Sequence, residues 1–166
     1  MRDYIQLWST FVPGDTVESI TEVLTSGWLN TGEKELLLRQ ELRKKFKFPH
    51  CVATNNGTAA LRTTFAALGV GHGDEVVSTP YTFIATNTSI LEQGATPVFA
   101  DINYDTLNID PESIDSKITK KTKAIVGVHY GGTPFDLDAV REIGRSHSIP
   151  VVEDAAHSWG AKYKGK

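Results

Sequence analysis

Five short runs rich in β-branched residues recur along the chain at intervals of about 25 residues, the length of one strand plus one helix. They are Cys51-Val52-Ala53-Thr54, Glu75-Val76-Val77, Pro97-Val98-Phe99, Ala124-Ile125-Val126-Gly127-Val128 and Val151-Val152. Consecutive strands joined by crossovers of this length pair in parallel, so the rhythm demands an α/β fold: a mainly parallel sheet flanked by helices. The intervening segments agree. Leu61, Phe65 and Leu68 fall at helical spacing, as do Leu137, Val140 and Ile143. Gly69 and Gly94 are placed to stop two helices, and Asp110-Pro111 reads as a cap followed by proline in the first turn. Upstream, Asp15 and Glu18 open an amphipathic helix carrying Val17, Ile20 and Leu24, closed by Gly27, and a second helix runs from about Glu33 to Phe46. No internal repeat or linker interrupts the pattern, so residues 1–166 read as one continuous unit.

Composition excludes several functions. The chain of 166 residues carries 17 basic and 20 acidic side chains, net charge -3, and the basic cluster Arg43-Lys44-Lys45 with Lys47 reads as a solvated helix face. A nucleic-acid partner is therefore not expected. The single cysteine, Cys51, permits neither an internal disulfide nor a cysteine zinc cage, no metal is expected, and a reducing cytoplasm fits. Behind Met1-Arg2-Asp3-Tyr4 there is no long apolar run, so neither a signal peptide nor a membrane span is expected.

In a parallel sheet the loops after the strands gather at one edge, where ligands bind. After the first run, Asn55-Asn56-Gly57-Thr58-Ala59 leads straight into a helix, whose first N–H groups and the Thr58 hydroxyl suit a phosphate. A plain cap by Asn56 or Thr58 explains the same residues. After the second, Pro80-Tyr81-Thr82-Phe83 places aromatic rings that serve either as a stacking platform or as core. The fourth ends in His129-Tyr130-Gly131-Gly132, where His129 reads as a hydrogen-bonded structural residue and the glycine pair permits close approach. The fifth delivers Glu153-Asp154-Ala155-Ala156-His157; Asp154 is either a cap, a buried ion-pair member or a ligand group. Together they offer an anion site, a stacking face and a carboxylate, what a phosphorylated pyridine needs if its ring nitrogen is to stay protonated.

These residues resemble the DegT/DnrJ/StrS family of sugar aminotransferases, pyridoxal-phosphate enzymes with the aspartate-aminotransferase type of fold (fold type I). The matching motifs are Ser26-Gly27-Trp28-Leu29, Asn56-Gly57-Thr58-Ala59-Ala60-Leu61, Pro80-Tyr81-Thr82-Phe83, Gly94-Ala95-Thr96-Pro97-Val98-Phe99-Ala100-Asp101, His129-Tyr130-Gly131-Gly132 and Glu153-Asp154-Ala155-Ala156-His157. The resemblance implies that Gly57, Thr58 and Ala59 hold the cofactor phosphate and that Phe83 stacks on the ring. It further implies that Asp154 pairs with the ring nitrogen, that His157 stands near the 3-hydroxyl, and that Trp28 lies near the site and a homodimer boundary. The implied substrates are a nucleotide-linked 4-keto or 3-keto sugar and an amino donor, with glutamate expected, in polysaccharide-type biosynthesis. The family's Schiff-base lysine follows the stretch matching Tyr163-Lys164-Gly165-Lys166, so Lys162, Lys164 and Lys166 are expected in a surface turn. The chain is then expected to be the N-terminal part of the cofactor-binding large domain, inactive alone, without the last strands and the small C-terminal domain. A dehydrase of the same family and a non-catalytic dimerising partner are the alternative readings. A dinucleotide site at Gly69-Val70-Gly71-His72-Gly73 is disfavoured, because that run follows a helix and lacks the G-x-G-x-x-G spacing. Convergence of Thr58, Phe83, Asp154 and His157 on one cleft is the geometric expectation.

Overall fold

The computed structural model describes residues 9–165; the Met1-Arg2-Asp3-Tyr4 stretch and Lys166 lie outside them. Where the sequence suggests one continuous unit, packing divides the chain into two, meeting between Ala53 and Thr54. In the first, α1 (Thr16–Ser26) ends on Gly27 in the left-handed conformation, whose N–H bonds to the Leu24 carbonyl. Asp15 precedes the helix without a side-chain cap bond, and α2 spans Glu33–Phe46. Neither helix contains a buried residue, and Val17, Ile20 and Leu24 leave an apolar stripe exposed.

The second unit runs α3 (Gly57–Ala67), β1 (Glu75–Ser78), α4 (Ile84–Leu91), β2 (Thr96–Phe99), α5 (Pro111–Lys117), β3 (Thr122–Val128), a 3-10 turn at Tyr130–Gly132, α6 (Leu137–His147) and β4 (Val151–Asp154). The four strands form one all-parallel sheet in the order β2-β1-β3-β4. Alternation along the strands sorts side chains to its two faces. Val76, Ala124 and Val126 pack with Phe65, Val70, Ile90 and Ala95 on the face covered by α3 and α4. Val77 and Ile125 pack with Ile114, Phe135, Leu137 and Val140 on the face covered by α5 and α6. The stop signals act as read: Gly69 adopts φ 69°, with the Val70 N–H closing on the Phe65 carbonyl, and the Asp110 side chain accepts from the Glu112 N–H ahead of Pro111. Tight turns of this kind occupy Gly69–Asp74, where Gly71 and Asp74 bond to each other, and no strand precedes them.

One expected strand is absent. Cys51–Thr54 has no ladder partner, and Val52 is 77% exposed. A four-residue run gains its extended conformation from a neighbour's hydrogen bonds, and Cys51–Thr54 has none. Among the described residues no helix is long and apolar enough to cross a membrane.

Gly127 is the next-to-last residue of β3, where a Cβ would stand 2.5 Å from Phe135 Cε1 and 2.7 Å from Cζ. Gly127→Ala therefore drives the buried Phe135 ring aside and is expected to cost about 1–3 kcal/mol, the usual penalty of overpacking, read as a lower urea midpoint.

Candidate functional site

The chain leaves β1 toward β2 in one direction and leaves β3 toward β4 in the other, so strand order reverses between β1 and β3. At such a reversal the two connections part to opposite faces and open a crevice beyond the strands' C-terminal ends. Three chain segments meet there. From β1, Ser78 Oγ donates to Asn87 Oδ1 (2.8 Å) and Asn87 Nδ2 donates to the Thr79 carbonyl (3.0 Å), turning the chain into α4. Phe83, at the helix cap, is 70% exposed, so its ring is not part of the core.

From β4 comes Asp154. Its Oδ2 accepts from Thr86 Oγ1 at 2.9 Å and its Oδ1 from the Ala156 N–H at 3.2 Å, and its carbonyl accepts from the His129 N–H at 3.1 Å. Among the described residues the side chain is thus neither a helix cap nor a member of an ion pair: both oxygens act as acceptors in a fixed orientation.

From β3 comes the glycine turn. The Gly131 N–H donates to His157 Nδ1 at 3.2 Å, which leaves the proton of the neutral ring on Nε2, a donor. Tyr130 meets the edge of the His157 ring at 5.7 Å and packs on Tyr81 at 4.6 Å between centroids. A hydrogen bond with the Tyr130 hydroxyl, reinforced by its charge, holds the Tyr81 phenol above the ordinary tyrosine value. Gly132 has φ 87°, and a Cβ there would lie 3.2 Å from the His157 carbonyl. Asn108, 2% exposed, clamps this turn: Oδ1 accepts from the Tyr130 N–H and Nδ2 donates to the Thr133 carbonyl, each at 2.9 Å. Asn108→Ala removes both bonds and should cost about 1–2 kcal/mol, with faster amide exchange at Gly131; unchanged exchange would deny the clamp.

His129 is structural, as its sequence context suggested. It is 4% exposed; the Phe135 N–H donates to Nδ1 at 3.3 Å and Nε2 donates to Glu153 Oε2 at 3.3 Å. That bond, opposed by partial burial and aided by Arg141 at 2.6 Å, holds the Glu153 carboxyl below the usual glutamate value.

At the first segment Asn56 is the cap: its Oδ1 accepts from the Ala59 N–H at 2.8 Å. The Gly57 and Thr58 N–H groups are the open donors of the α3 start, with the Thr58 hydroxyl beside them. Because α3 leads through Leu68–Asp74 to the beginning of β1, its N-terminus points toward the strands' C-terminal edge. Direct bonds or ring contacts join Asp154 to Thr86 and His157 to Tyr130–Gly131; Thr58 and Phe83 share that edge through the direction of their helices. Trp28 belongs to the other unit, where its indole N–H donates to the Thr31 carbonyl. Lys164 is tied to Asp138 and stands over the Tyr163 ring. Thr82, present only as part of the Pro80-Tyr81-Thr82-Phe83 motif, Thr86 and Asn108 have no role assigned from the sequence alone. The four-residue interval of the two threonines was a visible signal; nothing marked Asn108.

The sequence pattern of the DegT/DnrJ/EryC1/StrS aminotransferase family matches residues 13–166. An aminotransferase from Psychrobacter cryohalolentis is 40% identical, with a TM-score of 0.91 over 97% of this chain and 41% of its own. PseC of Helicobacter pylori, an aminotransferase involved in the biosynthesis of pseudoaminic acid, is 32% identical, with a TM-score of 0.88 over 94% of this chain and 42% of its own. NtdA of Bacillus subtilis, solved with bound PMP cofactor, is 32% identical, with a TM-score of 0.82 over 93% of this chain and 38% of its own. The chain thus spans less than half the length of these solved structures.

Proposed function

The chain belongs to the DegT/DnrJ/EryC1/StrS aminotransferase family, a pyridoxal-phosphate-dependent family, and from that membership we propose that it is the N-terminal portion of the cofactor-binding large domain of a sugar aminotransferase. The observation that carries the reading is Asp154, whose two oxygens are oriented by Thr86 and Ala156 at the strands' C-terminal edge, beside the strand reversal.

The donors and acceptors suit the cofactor's three chemistries. The Gly57 and Thr58 amides and the Thr58 hydroxyl, with Ala59 behind them in the first turn, would hold the phosphate at a helix N-terminus. The exposed Phe83 would cover one ring face. The Asp154 carboxylate would bind the protonated ring nitrogen, and the Nε2 proton of His157 would be donated to the 3-hydroxyl oxygen. When bound, pyridoxal phosphate supplies a carbonyl that takes up the amino group and a ring that accepts electron density during proton transfer. The residues of this chain would orient that ring and hold the proton at its nitrogen. Neither Lys162 nor Lys164 is assigned as the reactive amine: the family resemblance places both in a surface turn, and Lys164 is engaged by Asp138.

A nucleotide-linked keto sugar as acceptor and glutamate as donor are carried from the family resemblance, and PseC's place in pseudoaminic acid biosynthesis supports a sugar acceptor. A homodimer is proposed with them, supported by the exposed Val17, Ile20 and Leu24 of α1; a monodisperse monomer in light scattering would count against it. The cofactor reading is tested by titrating the chain with pyridoxal phosphate, reducing with borohydride and mapping the lysines. Weak, reversible binding without stoichiometric labelling of one lysine is expected, because non-covalent contacts alone hold the ligand. Stoichiometric labelling of a single lysine with turnover of an amino donor would overturn the assignment.

A further inference from the structure

A threonine pair, Thr86 buried and Thr82 only partly so, links the start of α4 to the tip of β4, Thr86 reaching Asp154 across 68 residues of sequence. Thr86, 1% exposed, donates its hydroxyl proton to Asp154 Oδ2 at 2.9 Å. Its oxygen lies 3.0 Å from Thr82 Oγ1. A hydroxyl has one proton, and that of Thr86 is spent on the carboxylate, so Thr82 is the donor to Thr86. The hydrogen bonds therefore run in one direction, Thr82 to Thr86 to Asp154, with the Ala156 N–H closing on the other carboxylate oxygen. The backbone of the same threonine does a second task. Its N–H bonds to the Phe83 carbonyl at 3.1 Å, so one residue orders both the aromatic platform and the acid.

We propose that Thr86, backed by Thr82, is a positioning residue that sets the direction in which Asp154 presents its carboxylate to the cofactor's ring nitrogen. The inference rests on the cofactor reading above. Asp154 sits at the end of an edge strand and only partly buried, with free rotation about two side-chain bonds. Without the Thr86 hydroxyl a single backbone N–H would hold it. A second donor, directed at the other oxygen, removes the rotation that would otherwise have to be frozen on binding. Thr86 acts only through Asp154, and its influence should vanish when the ligand gives Asp154 nothing to bind.

The test uses the 166-residue chain and two probes, pyridoxal phosphate and its analogue with CH in place of the ring nitrogen. Thr86→Val keeps the shape and removes the hydroxyl; Thr86→Ser keeps the hydroxyl. Thr86→Val is expected to weaken pyridoxal phosphate about tenfold, the scale of one hydrogen bond to a charged group, and to leave the analogue unchanged. Thr86→Ser should restore the affinity, and Thr82→Val should show a smaller loss in the same direction. Equal weakening of both probes, or equal effects of valine and serine, overturns the proposal in favour of a merely structural hydroxyl. Hydrogen exchange at the Ala156 amide is measured without ligand. Acceleration by about tenfold in Thr86→Val, but not in Thr86→Ser, is expected, and no change overturns the proposal. Failure of the unsubstituted chain to bind either probe would count against the cofactor reading, while the Ala156 exchange still decides whether Thr86 orients Asp154.

Discussion

Asp154→Asn, placed in a full-length enzyme containing this segment, is expected to lower kcat/KM for transamination by on the order of 10³, or about 4 kcal/mol of transition-state stabilisation. The substitution preserves volume. It exchanges a charged double acceptor for a neutral group with one acceptor and one donor. Thr86 and the Ala156 N–H both donate to Asp154, so the new amide NH₂ must face one donor or turn away from it. The loss therefore has two parts: the charge proposed to face the ring nitrogen disappears, and the side chain no longer fits its own hydrogen bonds. Single-turnover kinetics should place the defect in the proton-transfer step rather than in sugar binding, with KM for the sugar little changed. Retention of near-normal kcat would falsify the assignment of Asp154 to the ring nitrogen.

Phe135→Ala should be more damaging than Gly127→Ala, costing about 3–5 kcal/mol. The ring is 1% exposed, stacks on His129 at 4.6 Å, and fills the space above Gly127 among Val77, Ile125, Leu137 and Val140. With total stabilities of about 5–15 kcal/mol, such a loss leaves little in reserve. The Phe135 N–H that donates to His129 remains in the variant, so the effect isolates the ring from the backbone. Urea denaturation followed by tryptophan-independent circular dichroism measures it. Because Gly127 and Phe135 share one volume, Gly127→Ala should be harmful alone but should recover part of the Phe135→Ala loss when combined with it. Strict additivity of the pair would show that the two residues do not compete for that space.

Much of the fold was legible in the chain because its signals are local. Val76-Val77, Val98, Ala124 to Val128 and Val151-Val152 announce strands through β-branching, and Gly69, Gly94 and Asp110-Pro111 punctuate them through backbone geometry that needs no distant partner. Cys51–Thr54 carries the same local signal and forms no strand, since pairing depends on a neighbour that no local pattern supplies. The positions of Phe83, Asp154 and His157 at strand or helix ends were readable for the same reason as the strands themselves. Their hydrogen-bond partners were not. Thr86 finds Asp154 across 68 residues, Asn108 finds Tyr130 across 22 and Gly131 finds His157 across 26. By itself, then, the sequence determined the α/β rhythm, the breaks between elements and which chemical groups stand at the strand ends, all consequences of short-range sterics and periodicity. Only the tertiary structure decided the strand order with its reversal between β1 and β3, the tautomer of His157 and the direction of the Asp154 carboxylate, because these depend on hydrogen bonds and packing between segments that meet only after the chain has folded.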